Sequence, residues 1–304
     1  MLSSKYFEIF YQKVLSDKVQ KQSERIILVI AIASFILHLA IIYIVNSGIV
    51  ILDKPSELLR NPIAAIYTPF SFILVYEVYL LIFFLPKSIT TYIGKQYEII
   101  SLIIIRRLFK DLSTLSFSAD WFKIKYDLQF TYDLLASVLL FYLIYQFYLQ
   151  RKKSSKNDEK KEQDESKIER MHGFIKIKKL LSASLVPVII FVAFYSFISW
   201  LLGVTGISPT SGISFKNINN IFFEQFFTIL IVVDVILLLF SFFHTDQFHK
   251  VIRNSGFIIS TILIRLSFSV TGLLNTLLIV TAIIFGLLIL IIHNKFEENI
   301  ATED

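Results

Sequence analysis

The sequence predicts an all-α polytopic membrane protein: eight transmembrane helices arranged as two four-helix repeats in parallel orientation. Three observations predict it. Hydrophobic residues make up 55% of the 304-residue chain and the mean hydropathy is +0.66, above the range of soluble domains. Twenty-one of the thirty Lys and Arg fall in alternate inter-run segments, and five (Lys54, Arg60, Lys123, Lys125 and Lys216) fall in the others. A stretch of the first half, Ile99-Ile100-Ser101-x-Ile103-x-Ile105-Arg106, returns without a gap in the second as Ile258-Ile259-Ser260-x-Ile262-x-Ile264-Arg265.

The apolar runs set the elements. They cover 26–46, 65–86, 97–114, 129–149, 180–202, 221–243, 256–272 and 274–293, each near the length that spans a hydrocarbon core. Within lipid every backbone amide must be satisfied inside its own segment, so such runs are helices. The first run follows a lysine-bearing segment, is too long for a signal peptide and has no small-residue cleavage site after it. Cations concentrate on the cytoplasmic side, so both termini are expected there. The net charge of +6 has the same origin, and no basic face with interleaved aromatics points to nucleic acid.

Residues 1–25 form an expected interfacial segment, with Phe7, Phe10, Tyr11, Val14 and Leu15 at helical spacing and lysines elsewhere. Such a helix lies in the headgroup layer with its cations toward anionic lipid; an ordinary juxtamembrane flank is the alternative. Residues 26–150 form the first four-helix unit. In residues 151–170 fourteen of twenty residues are charged and none is aromatic, so this segment buries no core and reads as a cytoplasmic linker or a helical extension of the fourth run. Residues 171–304 form the second unit and a short tail. Four runs return the chain to its starting side, which makes the repeat parallel rather than inverted.

Charges inside apolar runs single out candidate site residues. Glu77 lies nine residues from the inner end of the second run, and Arg106 nine residues from the start of the third. Asp234 and Arg265 repeat the arrangement. At 1.5 Å per residue all four lie roughly 13–14 Å deep, near the middle of a core about 30 Å thick. A lone mid-membrane arginine is costly and seeks a partner. The expected pairs are therefore Glu77–Arg106 and Asp234–Arg265, each within its own unit, serving as a structural clamp or as a switch, proton path or voltage-moved charge. Arg107 and Asp111, four residues apart, are expected to neutralise each other in part.

Other features are bland. His38 reads as a packed or hydrogen-bonded side chain. Tyr142, Tyr145, Phe147 and Tyr148 read as an aromatic belt. His244, Asp246 and His249 offer too few ligands in one stretch to argue a metal, so no metal or cofactor is implied. With no cysteine there are no disulfides or thiolate sites. No phosphate-binding glycine loop, paired-histidine zinc motif or nucleophile elbow occurs, and no enzyme is implied. The abundance of Ile, Phe, Lys, Asn and Tyr looks like an AT-rich bacterial genome.

With an acid in the sixth run (Asp234), then His249-Lys-Val-Ile-Arg253, then "GFIISTILIR" ending on Arg265, the second half resembles the phosphate-starvation-inducible E (PsiE) family of small four-span bacterial membrane proteins. The chain departs from that pattern in having Asp where Glu is expected, and Val270 where an acid follows the arginine. The first half keeps Glu77, Arg106 and Asp111 but has "PKSITTYIGK" in place of the His/Arg pair. The likeness covers about 60 residues of each half. It implies a stress- or phosphate-linked role in the bacterial inner membrane.

The expected function is thus a non-enzymatic regulatory or stress-response membrane protein. His249 and Arg253 would contact anionic lipid headgroups, phosphate or a protein partner, a second copy of the chain included. The alternative is a proton or ion conduit gated by the buried pairs.

Overall fold

The computed structural model describes residues 2–48, 62–112, 125–160, 165–204, 215–244 and 247–303. Among them the chain is helical: α1 (Leu2–Val14), α2 (Asp17–Asn46), a short 3-10 helix (Pro62–Ile66), α3 (Tyr67–Phe84), α4 (Ile89–Leu112), α5 (Lys125–Lys160), α6 (Glu165–Val204), α7 (Phe215–His244), α8 (Phe248–Ser267) and α9 (Leu273–Glu303). The fold class is all-α, as composition and run length required.

Local chemistry sets the breaks. Ser16 caps α2, its Oγ accepting from Val19 N at 3.3 Å. Such a cap satisfies one of the amides a helix start leaves open. Pro86, with no N–H to donate, helps end α3, and Ser88 Oγ accepts from Thr91 N at the start of α4. The turn between them is short, so α3 and α4 lie antiparallel against each other. Gly272, with φ +75°, turns the chain from α8 into α9 in a conformation that side chains disfavour. Residues 151–160 continue α5 as helix.

Chain neighbours pack on one another, α2 on α3, α3 on α4, α4 on α5, and likewise α6 on α7, α7 on α8, α8 on α9. The halves join where α5 lies along α9, where α4 touches α8, and where α6 meets α3 and α1. α4 and α8 therefore sit innermost. Their junction is filled by Tyr97 edge-on to Phe147 at 5.1 Å, with Phe147 in turn 5.9 Å from Phe257. All three rings are fully buried.

The outer faces are apolar. On α2, Val29 and Leu37 are more than 60% exposed, as are Leu135 and Val138 on α5. Apolar surface of this extent marks a face meant for something other than water. Among the described residues, three helical stretches are long and apolar enough to cross a membrane: Ile9–Asn46, Leu128–Lys153 and Leu273–Ile300. Thr68–Phe84 and Phe226–Ser241 are apolar but shorter. α4 and α8 carry many polar residues, and the fold explains why they can. Surrounded by other helices, they need not present those residues to lipid.

The N-terminal segment is helical and partly anchored. Tyr79 Oη donates to Val14 O at 2.9 Å, Leu15 is buried, and the Lys179 ammonium lies 5.3 Å from the centre of the Tyr11 ring. Ile9 and Phe10 remain exposed. His38 Nδ1 is hydrogen-bonded to Thr68 Oγ1 at 2.5 Å, joining α2 to the first turn of α3. The aromatic cluster divides: Tyr142 and Tyr145 face out, Phe147 faces in, and the Tyr148 hydroxyl donates to Glu98.

Candidate functional site

Among the described residues stand three clusters of buried polar side chains, and none of them is a pair expected from the sequence. The first joins α4, α5 and α9. Arg107 donates from Nε to Asp133 Oδ2 at 2.5 Å and from NH2 to Asp133 Oδ1 at 2.6 Å. Its NH1 donates to Asn275 Oδ1 at 2.6 Å. The Thr276 hydroxyl and Gln129 amide also donate to Asp133 Oδ1. Asp133 is fully buried, so this two-point fork is held in a poorly solvated site where such pairs need many hydrogen bonds to offset desolvation. Arg107 thus takes its acid from α5 rather than from Asp111.

The second cluster lies between the halves. Gln96 Nε2 on α4 donates to Asp234 Oδ2 on α7 at 3.3 Å, and the Thr261 hydroxyl on α8 donates to Gln96 Oε1 at 2.8 Å. Beside them Tyr97 Oη and Ser260 Oγ share a hydrogen bond of 2.8 Å, and Ser260 Oγ donates to Ala282 O. The Tyr92 hydroxyl lies next to Asp234 without hydrogen-bond alignment. Lys178, just ahead of the fifth apolar run, donates from Nζ to Lys87 O at 3.0 Å. Burial pushes the Lys178 ammonium down to about 8, Arg253 pushing the same way and Asp234 opposing.

The third cluster gathers where α8 begins and α9 ends. Arg253 NH1 donates to His293 Nε2 at 2.9 Å. Its Nε and NH2 reach Asn254 Oδ1, and Asn254 donates to Ser241 Oγ. His249 Nε2 approaches Glu297 Oε1 to 2.5 Å, and the imidazoles of His249 and His293 stack at 5.4 Å.

The expected ion pairs Glu77–Arg106 and Asp234–Arg265 are not formed. The charged groups that act on Glu77 are Glu98, Lys95 and Glu24. Arg106 is buried farther along α4. Asp234 meets Gln96 of the other half, while Arg265 Nε donates to Thr228 Oγ1, six residues earlier on α7, at 3.1 Å. The cause is helix length. α4 begins at Ile89 and α8 at Phe248, each eight residues ahead of the expected start. Eight residues of helix are about 12 Å of height, so the residue level with Glu77 lies near Gln96. The polar stretches 89–96 and 248–255 read as loop in the sequence, yet they are helix because the bundle interior takes up their side chains.

His249 and Arg253 are brought together, but inward: Arg253 is 9% exposed. Asp246, expected beside them, lies outside the described residues. Asp133, Gln96, Lys178, His293 and Glu297 were not singled out from sequence. A carboxylate four residues after Gln129 in an apolar run, and a His/Glu pair one turn apart at the end of the last run, were the available signals.

No family model, no curated protein and no solved structure matches the chain.

Proposed function

We propose that the chain is a polytopic protein of the bacterial inner membrane, two like-oriented four-helix units with cytoplasmic termini. It acts there as a non-enzymatic regulatory or stress-response protein, phosphate starvation being the stress that the PsiE resemblance implies. The matching order of helix contacts in the two halves supports the duplication. One observation carries the regulatory reading over a conduit. The polar side chains between the halves bind one another: Asp234 to Gln96, Tyr97 to Ser260, Arg107 to Asn275. Groups engaged across helices in this way fix register and suit a membrane-embedded body that presents surfaces to lipid headgroups or a partner. The second reading, a proton conduit, draws on Lys178 and Asp234 as titratable groups buried together at the junction.

Three measurements test these readings. The chain lacks cysteine, so single introduced cysteines report sidedness. Ser211→Cys in intact cells is expected to react with an impermeant maleimide, and Lys153→Cys only after permeabilisation. The reverse pattern overturns the orientation. Purified chain in liposomes is expected to pass no protons or ions under voltage or a pH gradient, and Arg265→Gln likewise. A flux that Asp234→Asn abolishes would establish the conduit instead. Loss of the chain is expected to impair growth under phosphate limitation, and equal growth would remove the stress assignment.

A further inference from the structure

His293 and Glu297 stand four residues apart and so share one face of α9. The first turn of α8 brings His249 opposite them. One ligand atom from each, two imidazole nitrogens and a carboxylate oxygen, lie within 4.8 Å of one another. Hydrogen bonding does not account for this convergence. His249 Nε2 is 2.5 Å from Glu297 Oε1 but is not aligned to donate, and His293 Nδ1 is buried with no hydrogen-bond partner. His293 is 2% exposed and Glu297 4%, so both groups were taken from water into this cluster. A buried polar atom left this way is costly.

We propose that His249, His293 and Glu297 bind a divalent first-row transition-metal ion, with zinc the reference case. Two neutral imidazoles and one carboxylate form the donor set of an open zinc site, in which a fourth position is left to water or an anion. Calcium and magnesium favour all-oxygen shells and are disfavoured here. The ligands come from two helices, so the ion ties the start of α8 to the end of α9. Such a site would hold its ion whatever the chain regulates.

Arg253 tunes the affinity. Ligation through His293 Nδ1 leaves the ring proton on Nε2, facing Arg253 NH1, which can only donate. The planar guanidinium moves as one unit, so ligation at Nδ1 requires it to shift from the ring and loosen its Nε and NH2 bonds to Asn254. A fixed cation beside a metal also lowers affinity through repulsion. Replacing Arg253 by glutamine removes that charge and supplies a carbonyl that can accept the Nε2–H, the outer-shell contact that metal-bound histidines ordinarily have.

The test is titration of the full chain, purified in detergent and stripped with chelator, with zinc chloride by calorimetry. One ion per chain is expected, with no response to magnesium chloride. His249→Ala, His293→Ala and Glu297→Gln are each expected to weaken binding by at least about tenfold, judging from the cost of losing even outer-shell contacts. Arg253→Gln is expected to tighten it. Affinity should fall as pH is lowered, because the imidazoles must be neutral to ligate. Failure of the wild-type chain to bind zinc saturably would overturn the site. So would binding unaffected by the three ligand substitutions, or binding lost in a folded Arg253→Gln chain. If a histidine variant does not fold, unfolding temperature decides: zinc must raise it in the wild type, and by less in Glu297→Gln at the same zinc concentration. A chain that binds zinc without a phosphate phenotype keeps this site and loses the phosphate-stress assignment; the opposite result separates them the other way.

Discussion

Asp133→Ala is expected to destabilise the protein by about 3 kcal/mol, the lower end of the cost of breaking a buried ion pair. The lower end applies because the Arg107 side chain keeps 28% of its surface exposed while Asp133 keeps none. The substitution leaves the guanidinium the Asn275 and Thr276 side-chain oxygens as acceptors, and a cation with neutral acceptors does not recover its lost solvation. Asp133→Asn keeps the shape and removes the charge, so its loss is expected to be similar. Replacing both members, Arg107→Met with Asp133→Leu, is expected to recover part of the stability, because the apolar pair needs no compensation while Asn275, Thr276 and Gln129 lose the bonds they made to it. Thermal unfolding in detergent micelles measures all three. An Asp133→Ala protein that unfolds at the wild-type temperature would show that the fork holds nothing together.

Gly286→Ala is expected to cost about 2 kcal/mol, within the range for overpacking a filled core. The added methyl would overlap the Tyr97 hydroxyl, crowd Tyr97 Cζ at 2.9 Å and press on Ser260 Oγ at 3.3 Å. That hydroxyl is the link from α4 to Ser260 on α8, so the overlap strikes the contact between the halves. Gly256→Ala is a useful contrast. Its methyl would first meet the Ile289 side chain, at 2.8 Å, and an aliphatic side chain can move where a ring wedged against Phe147 cannot. A smaller loss is therefore expected at Gly256. Tyr97→Phe removes the overlapping oxygen, so Gly286→Ala with Tyr97→Phe should lose less than the sum of the two single changes. Additive losses would mean that the crowding at Tyr97 is not what limits residue 286.

The helical class, the apolar runs and the chemistry of individual residues were legible in the sequence. A run of aliphatic residues admits one backbone solution in lipid, and nothing distant can change that. His38 was expected to be packed or hydrogen-bonded, and Thr68 meets it. The ends of α4 and α8 were not legible. A polar first turn looks the same whether it lies in water or inside a bundle, and only the neighbours decide. From that single ambiguity came the misplaced pairs Glu77–Arg106 and Asp234–Arg265.

By itself the sequence determined that this chain is helical, where its apolar stretches lie, and that charged groups are buried among them. Tertiary structure alone decided which groups meet: Arg107 with Asp133, Gln96 with Asp234, His249 with Glu297. Height along a helix can be counted at 1.5 Å per residue once its start is known, but the start and the facing direction depend on packing against helices far away in the chain. Side chains separated by more than a hundred residues, such as Gln96 and Asp234, are brought together only when the two halves close on each other.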